Sequence, residues 1–304
     1  MPDEARRPVV AIVMLTYNQR ETTLRALASI EPSRLAKVEV LLWDNGSADG
    51  TMDAVREYFP SVHAHHSTEN LGVAGGRNAA AAMAIERFFP DYLCFLDNDL
   101  VLTTGYVDAL VDVLERDPAV GQVQSKLRYL DRPELLNDGG GCEITFWLGR
   151  TRPVGVGEVD RGQYDRLRDC VSCGGAMMVR TSIFQQLGGF DLTFNPFGPE
   201  DIDFSLRLQR AGHRAVFVPG AMAFHAESHS FAPGGYTGGY ARTKAQHWIR
   251  FLRRHGSPAQ KAGFYLVGVP LIALRLLIRE GRRGNLSALS GSARGFLASL
   301  RRSN

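Results

Sequence analysis

Two carboxylates follow a short apolar run in the first third of the chain. Residues 92–100 read YLCFLDNDL, and the side chains of residues 92–96 are typical of a buried strand. Asp97, Asn98 and Asp99 come where that strand would leave its sheet. Ligand clefts of open α/β sheets lie at the carboxyl ends of strands, and hard divalent cations prefer oxygen ligands. The pair therefore indicates a site for a cation and a diphosphate, with a solvated turn as the alternative because Asp and Asn favour turns.

A second pair of acids lies where a later helix is predicted to begin. Glu200 and Asp201 follow a Gly-Pro turn and open a helix over residues 200–211. Negative charge is favoured at a helix N-terminus, and a carboxylate placed there can take the proton from an attacking hydroxyl group. Helix capping would explain one acid, but not the aromatic, glycine-rich segment of residues 190–199 before it.

The elements that must position these acids alternate along the first 116 residues. Three apolar runs have the length and composition of buried strands, and helical segments lie between and after them. The strands are predicted at residues 9–15, 38–43 and 92–96, and the helices at residues 20–30, 48–59 and 104–116. This alternation predicts an α/β fold with a Rossmann-like, mainly parallel central sheet flanked by helices.

The middle of the chain has predicted strands separated by glycine- and proline-rich turns. Strands are predicted at residues 120–130, 142–148 and 171–179, with surface loops at residues 139–141 and 160–169 because of their glycines and charges. The histidines at positions 63, 65 and 66 are predicted to lie on an exposed strand.

Five blocks of sequence occur in a recognisable order between residues 9 and 229. They read LTYNQRETTLRAL, WDNGSADGT, NLGVAGGRNAA, FLDNDL and GGAMMVRTSIFQQLGGFDLTFNPFGPEDIDFSLRLQRAGHRAVFVPGAMAFH. Together they resemble the inverting family 2 glycosyltransferases with a GT-A fold, and most of all the branch that includes bacterial rhamnosyltransferases. One block alone would be weak evidence, whereas five in order are specific.

The resemblance implies a nucleotide-sugar site at the strand ends. Asp44 could accept the imide N–H of uracil or thymine, which cytosine lacks, and Tyr17 could pack on the base; a turn with Gly46 is the alternative for Asp44. The block at residues 70–78 is predicted to be a glycine-rich loop that opens an alanine-rich helix ending near residue 89, and such a loop suits approach to an anion. Arg77 is expected to face the nucleotide or, alternatively, solvent. The expected nucleotide-sugar residues are Thr16, Tyr17, Asn18, Asp44, Gly72, Arg77, Asp97, Asn98 and Gly175.

The same resemblance implies a metal and a base. Asp99, Asp97 and His225 are expected to hold Mn²⁺ or Mg²⁺, with Asp99 the direct ligand and His229 a weaker candidate. The cation would stabilise the leaving nucleoside diphosphate as a Lewis acid. Asp201 is expected to be the general base, with Glu200 as the second choice.

Charge separates the C-terminal part from the rest. From position 241 onward there are 13 basic residues and one acid, a balance of +12, whereas the preceding 22 basic and 31 acidic residues leave −9. We therefore predict a catalytic domain over residues 1–230 and a basic helical extension over residues 231–304. Residues 264–278 form an apolar run of about 15 residues, shorter than the roughly 20 that a spanning helix needs. An interfacial helix on an anionic membrane is expected, and packing on the catalytic domain or in a homodimer is the alternative.

These features predict a metal-dependent inverting glycosyltransferase of the hexosyltransferase type. It would move a sugar, with rhamnose a candidate, from a UDP- or dTDP-activated donor to a glycan or lipid-linked acceptor in polysaccharide or cell-surface glycan synthesis. A sugar-1-phosphate nucleotidyltransferase would need a glycine- and arginine-rich loop where this chain has TYNQRETT. A catalytically silent nucleotide-sugar-binding scaffold is disfavoured because five potential site residues occur together: Asp97, Asp99, Glu200, Asp201 and His225. The charged N-terminus predicts a cytoplasmic protein, peripheral on the membrane if the extension binds lipid, and no nucleic-acid motif accompanies the basic charge.

Overall fold

The computed structural model describes residues 6–172, 174–226 and 237–301, and these divide into two compact units. The first unit contains the chain up to Cys142 and resumes at Pro153, and the second contains Glu143–Arg152 together with the C-terminal helices. The boundary predicted at residues 230 and 231, like His229, lies outside the described residues.

The strands and helices alternate along the first unit and give way to helices at the C-terminus. The strands are β1 (Val9–Thr16), β2 (Lys37–Asp44), β3 (His63–His66), β4 (Tyr92–Asp97), β5 (Leu100–Leu102), β6 (Val120–Tyr129), β7 (Leu136–Asp138), β8 (Cys142–Thr145), β9 (Arg150–Pro153), β10 (Arg168–Asp169), β11 (Ala176–Arg180) and β12 (Arg214–His225). The helices are α1 (Arg20–Ala28), α2 (Thr51–Tyr58), α3 (Gly72–Phe88), α4 (Tyr106–Arg116), α5 (Thr181–Gln186), α6 (Glu200–Arg210), α7 (Gly238–His255), α8 (Pro258–Gly263), α9 (Val269–Arg282) and α10 (Leu286–Arg301).

Among the described residues the first unit has one sheet of ten strands. Its main path runs β10-β12-β6-β11-β4-β1-β2-β3, with β5 beside β12 and β7 beside β6. The pairs β4/β1, β1/β2, β2/β3 and β6/β12 are parallel, whereas β11 enters antiparallel between β4 and β6. The α/β class with a mainly parallel sheet is therefore confirmed.

The central strands are buried on both faces, which explains their continuous apolar sequences. In β1, Ile12 and Met14 belong to the core on one face, while Ala11 and Val13 belong to the core on the other. Successive side chains of a strand point to opposite faces, so an unbroken apolar run fills both cores. The carboxyl ends of these strands are thereby held in fixed positions at one edge of the sheet.

One of the two segments predicted as surface loops is buried, so the prediction is wrong for residues 139–141, whereas most of residues 160–169 are exposed. The backbone at residues 139–141 is buried, and the Asp138 carboxylate accepts hydrogen bonds of 2.7 Å from the N–H groups of Gly140 and Gly141. In the other segment the Asp160 side chain is covered, and Lys126 Nζ lies 2.6 Å from its Oδ2 atom. Burial and these hydrogen bonds tie both segments to β6 and β7.

The second unit is assembled from distant parts of the chain. The turn between β8 and β9 packs against the C-terminal helices, with the rings of Phe146 and Phe251 stacked at 5.8 Å. A Cβ atom at Gly268 would lie 1.9 Å from the Trp147 carbonyl oxygen, so only glycine permits that approach. Ile249, Leu252 and Phe264 complete this small core.

One helical run of the second unit has an apolar outer surface. It extends over Pro258–Arg282, because a π-helical turn at Phe264–Gly268 joins α8 to α9. The run is 25 residues long with a window of mean hydropathy 1.7, of which only 11% is buried. The helical run is therefore longer than the 15-residue apolar run suggests. Its length and composition would allow it to cross a membrane. The exposed outer side chains are Leu266, Val267, Leu271, Leu274, Leu277 and Ile278.

Candidate active site

Three strands end in one row at the edge of the sheet. Thr16 of β1 is the Cα partner of Asp44 in β2, and Asp44 is in turn the partner of His66 in β3. The Asp44 side chain is 0% exposed: its Oδ1 accepts hydrogen bonds from Ser47 N (3.0 Å) and Ser47 Oγ (2.5 Å). Its Oδ2 atom lies 2.7 Å from His66 Nδ1. Asp44 therefore does form a turn, closed on Ser47, and is covered by the neighbouring histidine.

The two loops that follow β1 and β2 are joined to each other. The Asn18 N–H donates to Ser47 Oγ (2.8 Å), and Asn18 Oδ1 accepts a hydrogen bond from the Ala48 N–H (2.8 Å). Asn18 has a φ of 50°, a left-handed conformation that asparagine tolerates better than most residues. Tyr17 is 49% exposed, so its ring is available to a ligand at this edge.

Asn98 and Thr16 face the protein interior. Asn98 Nδ2 donates to Gln19 Oε1 (2.8 Å) and Thr23 Oγ1 (2.9 Å), and it lies 3.3 Å from Thr16 Oγ1. Both residues are buried. The structure thus places these two expected nucleotide-sugar residues in a polar cluster that ties the end of β4 to α1.

The glycine-rich block is helix rather than loop. Helix α3 already begins at Gly72, whose φ is 72°. A Cβ atom there would lie 2.8 Å from Pro196 Cα, and one at Gly76 would lie 2.5 Å from the Leu15 side chain. The loop predicted for this block is therefore wrong for residues 72–78, because their glycines let α3 pack closely on its neighbours, while the expected contact with an anion stays a prediction.

Arg77 is buried and bridges two acids that are far apart in sequence. Its Nη2 atom donates to Asp97 Oδ1 (2.6 Å) and its Nη1 atom to Glu200 Oε1 (3.0 Å). Burial lowers the pKa of Arg77, but the charges of Asp97 and Glu200 outweigh it and raise that pKa well above its ordinary value. The solvent-exposed alternative is thereby excluded. Arg77 instead fixes the relative positions of the acids from β4 and α6.

Glu200 and Asp201 are both buried in the first turn of α6. Glu200 Oε2 has no hydrogen-bond partner among the described residues, whereas Asp201 accepts from Gly174 N and, at 2.7 Å, from Ile202 N. Burial and then the charge of Asp201 raise the pKa of Glu200 to about 8, against the opposing charge of Arg77. Burial also raises the pKa of Asp201. Carboxyl groups whose pKa lies nearer neutrality than usual suit proton transfer.

Gly175 provides the space that Asp97 occupies. The Asp97 N–H donates to Gly175 O (2.7 Å), which pairs β4 with the segment before β11. A Cβ atom at position 175 would lie 1.9 Å from Asp97 Cγ and 2.1 Å from both carboxylate oxygens. The Asp97 side chain is 39% exposed, so it can reach a ligand while it remains bonded to Arg77.

Asp99 and His225 come together across paired strands. His225 Nε2 lies 3.3 Å from Asp99 Oδ1, and His225 Nδ1 lies 3.0 Å from Asn137 Oδ1. An oxygen and a nitrogen donor this close fit a divalent transition-metal ion, whose other ligands could come from a diphosphate. In the part of the chain that the structure describes, no group of three or more His, Cys, Asp or Glu side chains forms a complete metal cage.

Comparison with known proteins identifies the family. The sequence profile described as Glycosyl transferase family 2 matches residues 11–188. The chain belongs to this family. A profile described as the N-terminal domain of galactosyltransferase also matches residues 164–230 of this family 2 member.

Its relatives agree with that assignment. An N-acetylglucosaminyl-diphospho-decaprenol L-rhamnosyltransferase of Mycobacterium tuberculosis is 30% identical over 239 residues, which are 73% of this chain and 77% of that protein. The O-antigen biosynthesis protein RfbC of Myxococcus xanthus is 29% identical over 73% of this chain and 18% of its own length. The predictions of family, of a glycosyltransferase and of an enzyme are confirmed.

Solved structures support the fold. GalNAc-T7, crystallised with UDP, GalNAc and Mn²⁺, superposes with a TM-score of 0.65 at 15% identity, covering 86% of this chain and 50% of that one. A mannosyltransferase of Pyrobaculum calidifontis with GDP-Man and Mn²⁺ gives a TM-score of 0.58 at 19% identity, covering 100% and 90%. The family 2 member therefore has the predicted GT-A fold.

Three side chains around this site make contacts that were not predicted from the sequence. His65 packs on Trp43 with ring centroids 4.4 Å apart, and His66 pairs with Asp44, so these histidines do not simply lie on an exposed strand. Asn137, which contacts His225, was not expected at all. The one usable signal for His66 was its place at the end of the strand next to β2.

Proposed function

We propose that this family 2 member is a metal-dependent inverting transferase in cell-surface glycan synthesis. It would move a sugar from a UDP- or dTDP-activated donor to a lipid-linked or glycan acceptor. The observation that carries the proposal is the convergence of Asp97, Glu200 and Asp201 around buried Arg77, with the Asp99–His225 pair in the same unit. Because the acids of this cluster come from two separate elements, β4 and α6, the cluster is a candidate catalytic site rather than a source of stability.

Asp99 and His225 would hold the cation, with Asp97 toward the diphosphate. Bound Mn²⁺ or Mg²⁺ would offset the charge that develops on the leaving diphosphate. Because Asn137 presents an oxygen to His225 Nδ1, the proton of the neutral ring would lie on Nδ1, and Nε2 would carry the lone pair that coordinates the cation. Mn²⁺ in the two structural neighbours supports the use of a divalent cation.

Asp201 would act as the general base. It would take the proton of the acceptor hydroxyl as the oxygen attacks the anomeric carbon, and a single displacement of this kind inverts that carbon. Glu200 would be held in place by Arg77. The positive charge of Arg77 would offset the negative charge of the two adjacent acids, one of which accepts the proton. Tyr17 and the buried Asp44 would lie at the nucleobase end of the donor, where β1 and β2 finish.

Rhamnose is the sugar in the name of the Mycobacterium tuberculosis relative. The Mycobacterium tuberculosis protein is named for rhamnosyl transfer to a diphospho-decaprenol carrier, and this chain covers 77% of it. We propose a polyprenyl-diphosphate-linked sugar as the acceptor for the same reason. A lipid-linked acceptor agrees with a protein that is peripheral on the cytoplasmic face of the membrane.

The basic extension at residues 231–304 would contact anionic lipid, while residues 1–230 would form the catalytic domain. The run Pro258–Arg282 has an apolar outer surface, and its last turn carries Arg279 and Arg282. Leucines favour the acyl region and arginines the anionic headgroups. A homodimer that buries the same leucines is the alternative.

The proposal is tested with purified full-length protein, Mn²⁺ and a panel of nucleotide sugars that includes dTDP-rhamnose. Thermal stabilisation identifies the donor, since a ligand that binds only the native state raises its stability, and NMR of the product reports the anomeric configuration. Asp99→Asn should abolish the metal-dependent part of donor affinity. Asp201→Asn should preserve donor affinity and lower kcat by about a hundredfold or more, whereas Glu200→Gln should lower it less. A product with retained configuration, or full activity of Asp201→Asn, would contradict the mechanism.

A further inference from the structure

The acid expected to recognise the nucleobase is enclosed by other residues. Asp44 is 0% exposed, and its two oxygens already receive Ser47 N, Ser47 Oγ and His66 Nδ1. His66 belongs to the same row of strand ends and is 42% exposed. A base arriving at this edge of the sheet would therefore meet His66 before it could reach Asp44.

The hydrogen bond to Asp44 determines which ring nitrogen of His66 carries the proton and which one carries a lone pair. A carboxylate only accepts hydrogen bonds, so the proton of the neutral ring must lie on Nδ1, at 2.7 Å from Asp44 Oδ2. The other nitrogen, Nε2, then carries a lone pair. His66 thus presents a hydrogen-bond acceptor at the position where Asp44 was expected to present one.

We propose that His66, held by Asp44, is the residue that reads the nucleobase, with Nε2 accepting the imide N–H of uracil or thymine. The inference rests on the proposed use of a nucleotide-sugar donor and names the base that the donor carries. Cytosine has a lone pair at the same ring position, so it would face the Nε2 lone pair without a proton between them. Asp44 is in this arrangement a positioning residue, and Tyr17 is free to cover the ring.

Two features of the sheet support a contact from this residue. Strands lie about 4.8 Å apart, so the end of β3 is roughly 10 Å from the end of β1, a distance that a pyrimidine ring between Tyr17 and His66 would fill. The Ser67 N–H donates to Asp44 O (2.8 Å), which holds the chain after β3 against the β2 loop. His66 is thus tethered by side chain and backbone before any ligand binds.

The test compares pyrimidine nucleotides in the full-length protein. Affinities for UDP, dTDP and CDP are measured by calorimetry with Mg²⁺ for the wild type, for His66→Phe and for the control His63→Phe. His63 is in the same strand, but its ring packs 4.9 Å from Phe88. The wild type and the control should prefer UDP and dTDP over CDP by about tenfold or more. In His66→Phe that ratio should fall to near one through weaker UDP binding.

An NMR measurement covers the case in which His66→Phe does not fold. In protein labelled with ¹⁵N-histidine, the His66 signals are those missing from His66→Gln. They should show a proton on Nδ1 and none on Nε2, and UDP but not CDP should shift the Nε2 signal.

The outcomes separate this inference from the proposed function. A His66→Phe variant that keeps the preference for UDP, or an Nε2 that is protonated in the free protein, overturns the inference in favour of direct contact with Asp44, and the glycosyltransferase proposal stands. Absence of binding by UDP and dTDP in the wild type overturns both the base contact and the proposed donor class.

Discussion

Gly175→Ala tests whether the position of Asp97 is set by the space beside it. The added Cβ atom would lie 1.9 Å from Asp97 Cγ, and ordinary contact requires at least about 3.4 Å. The carboxylate must therefore move by roughly 1.5 Å, which is enough to break its 2.6 Å hydrogen bond with Arg77. Asp97 is partly exposed and can swing toward solvent, so the fold survives while the acid leaves its site.

The expected effects differ in size for stability and for binding. Overpacking of this kind costs about 1–3 kcal/mol, which corresponds to a melting temperature lowered by several degrees. Metal-dependent affinity for the donor nucleotide should fall by about 10- to 100-fold, as for other displaced groups around a metal. Thermal melting and calorimetry with UDP or dTDP and Mn²⁺ measure the two effects.

Gly220→Ala is the matched control, because its Cβ atom would meet only Ala109 Cβ at 3.8 Å, an ordinary contact. It should change neither quantity appreciably. If Gly175→Ala binds the nucleotide within twofold of the wild type, then Asp97 does not contribute to the site from the position described above, and the cluster around Arg77 is structural.

Three further predictions follow from other contacts. Asn137→Leu removes the oxygen beside His225 Nδ1 and should weaken Mn²⁺ binding about 10- to 100-fold in a direct titration, without loss of fold. Burial raises the pKa of Glu200 from 4.5 to about 8, so the folded protein holds a proton that the unfolded chain releases; this stabilisation is complete below about pH 4.5 and is lost as pH rises toward 8. The difference in melting temperature between the wild type and Glu200→Gln should therefore fall as the pH rises from 5 to 8. A difference that stays constant over this range would refute the raised pKa of Glu200. Leu274→Asp should abolish sedimentation with anionic vesicles at low salt, whereas a wild type that ignores such vesicles and dimerises identifies a subunit interface.

The sequence predicted the strands closely where they are buried on both faces. Residues 9–15 and 92–96 were expected as strands, and β1 and β4 extend them by one residue each. A continuous apolar run bounded by polar residues leaves little choice of position, since both cores must be filled. The acids at the strand end were found for the same reason.

Long-range contacts were beyond what the sequence could predict. Arg77 bonds to acids that lie 20 and 123 positions away in the sequence. The glycine that leaves space for Asp97 lies just before β11, and no local sequence pattern predicts the antiparallel direction of that strand. The start of helix α3 was wrongly predicted as a loop because of the three glycines in residues 72–76. In the fold, Gly72 packs closely on Pro196 and Gly76 on Leu15. Each error arose where tertiary packing overrode a local preference.

The composition of the second unit has a consequence for synthesis on the ribosome. The turn bearing Phe146 and Trp147 is translated well before the helices that cover it, with Arg152 and Gly238 separated by 85 residues of chain. At about 5–20 residues per second the turn waits roughly 4–17 s for its partners. During that interval its aromatic side chains are a candidate site for chaperone binding. A nascent chain released before α7 would therefore leave the ribosome with a folded sheet and an uncovered aromatic turn.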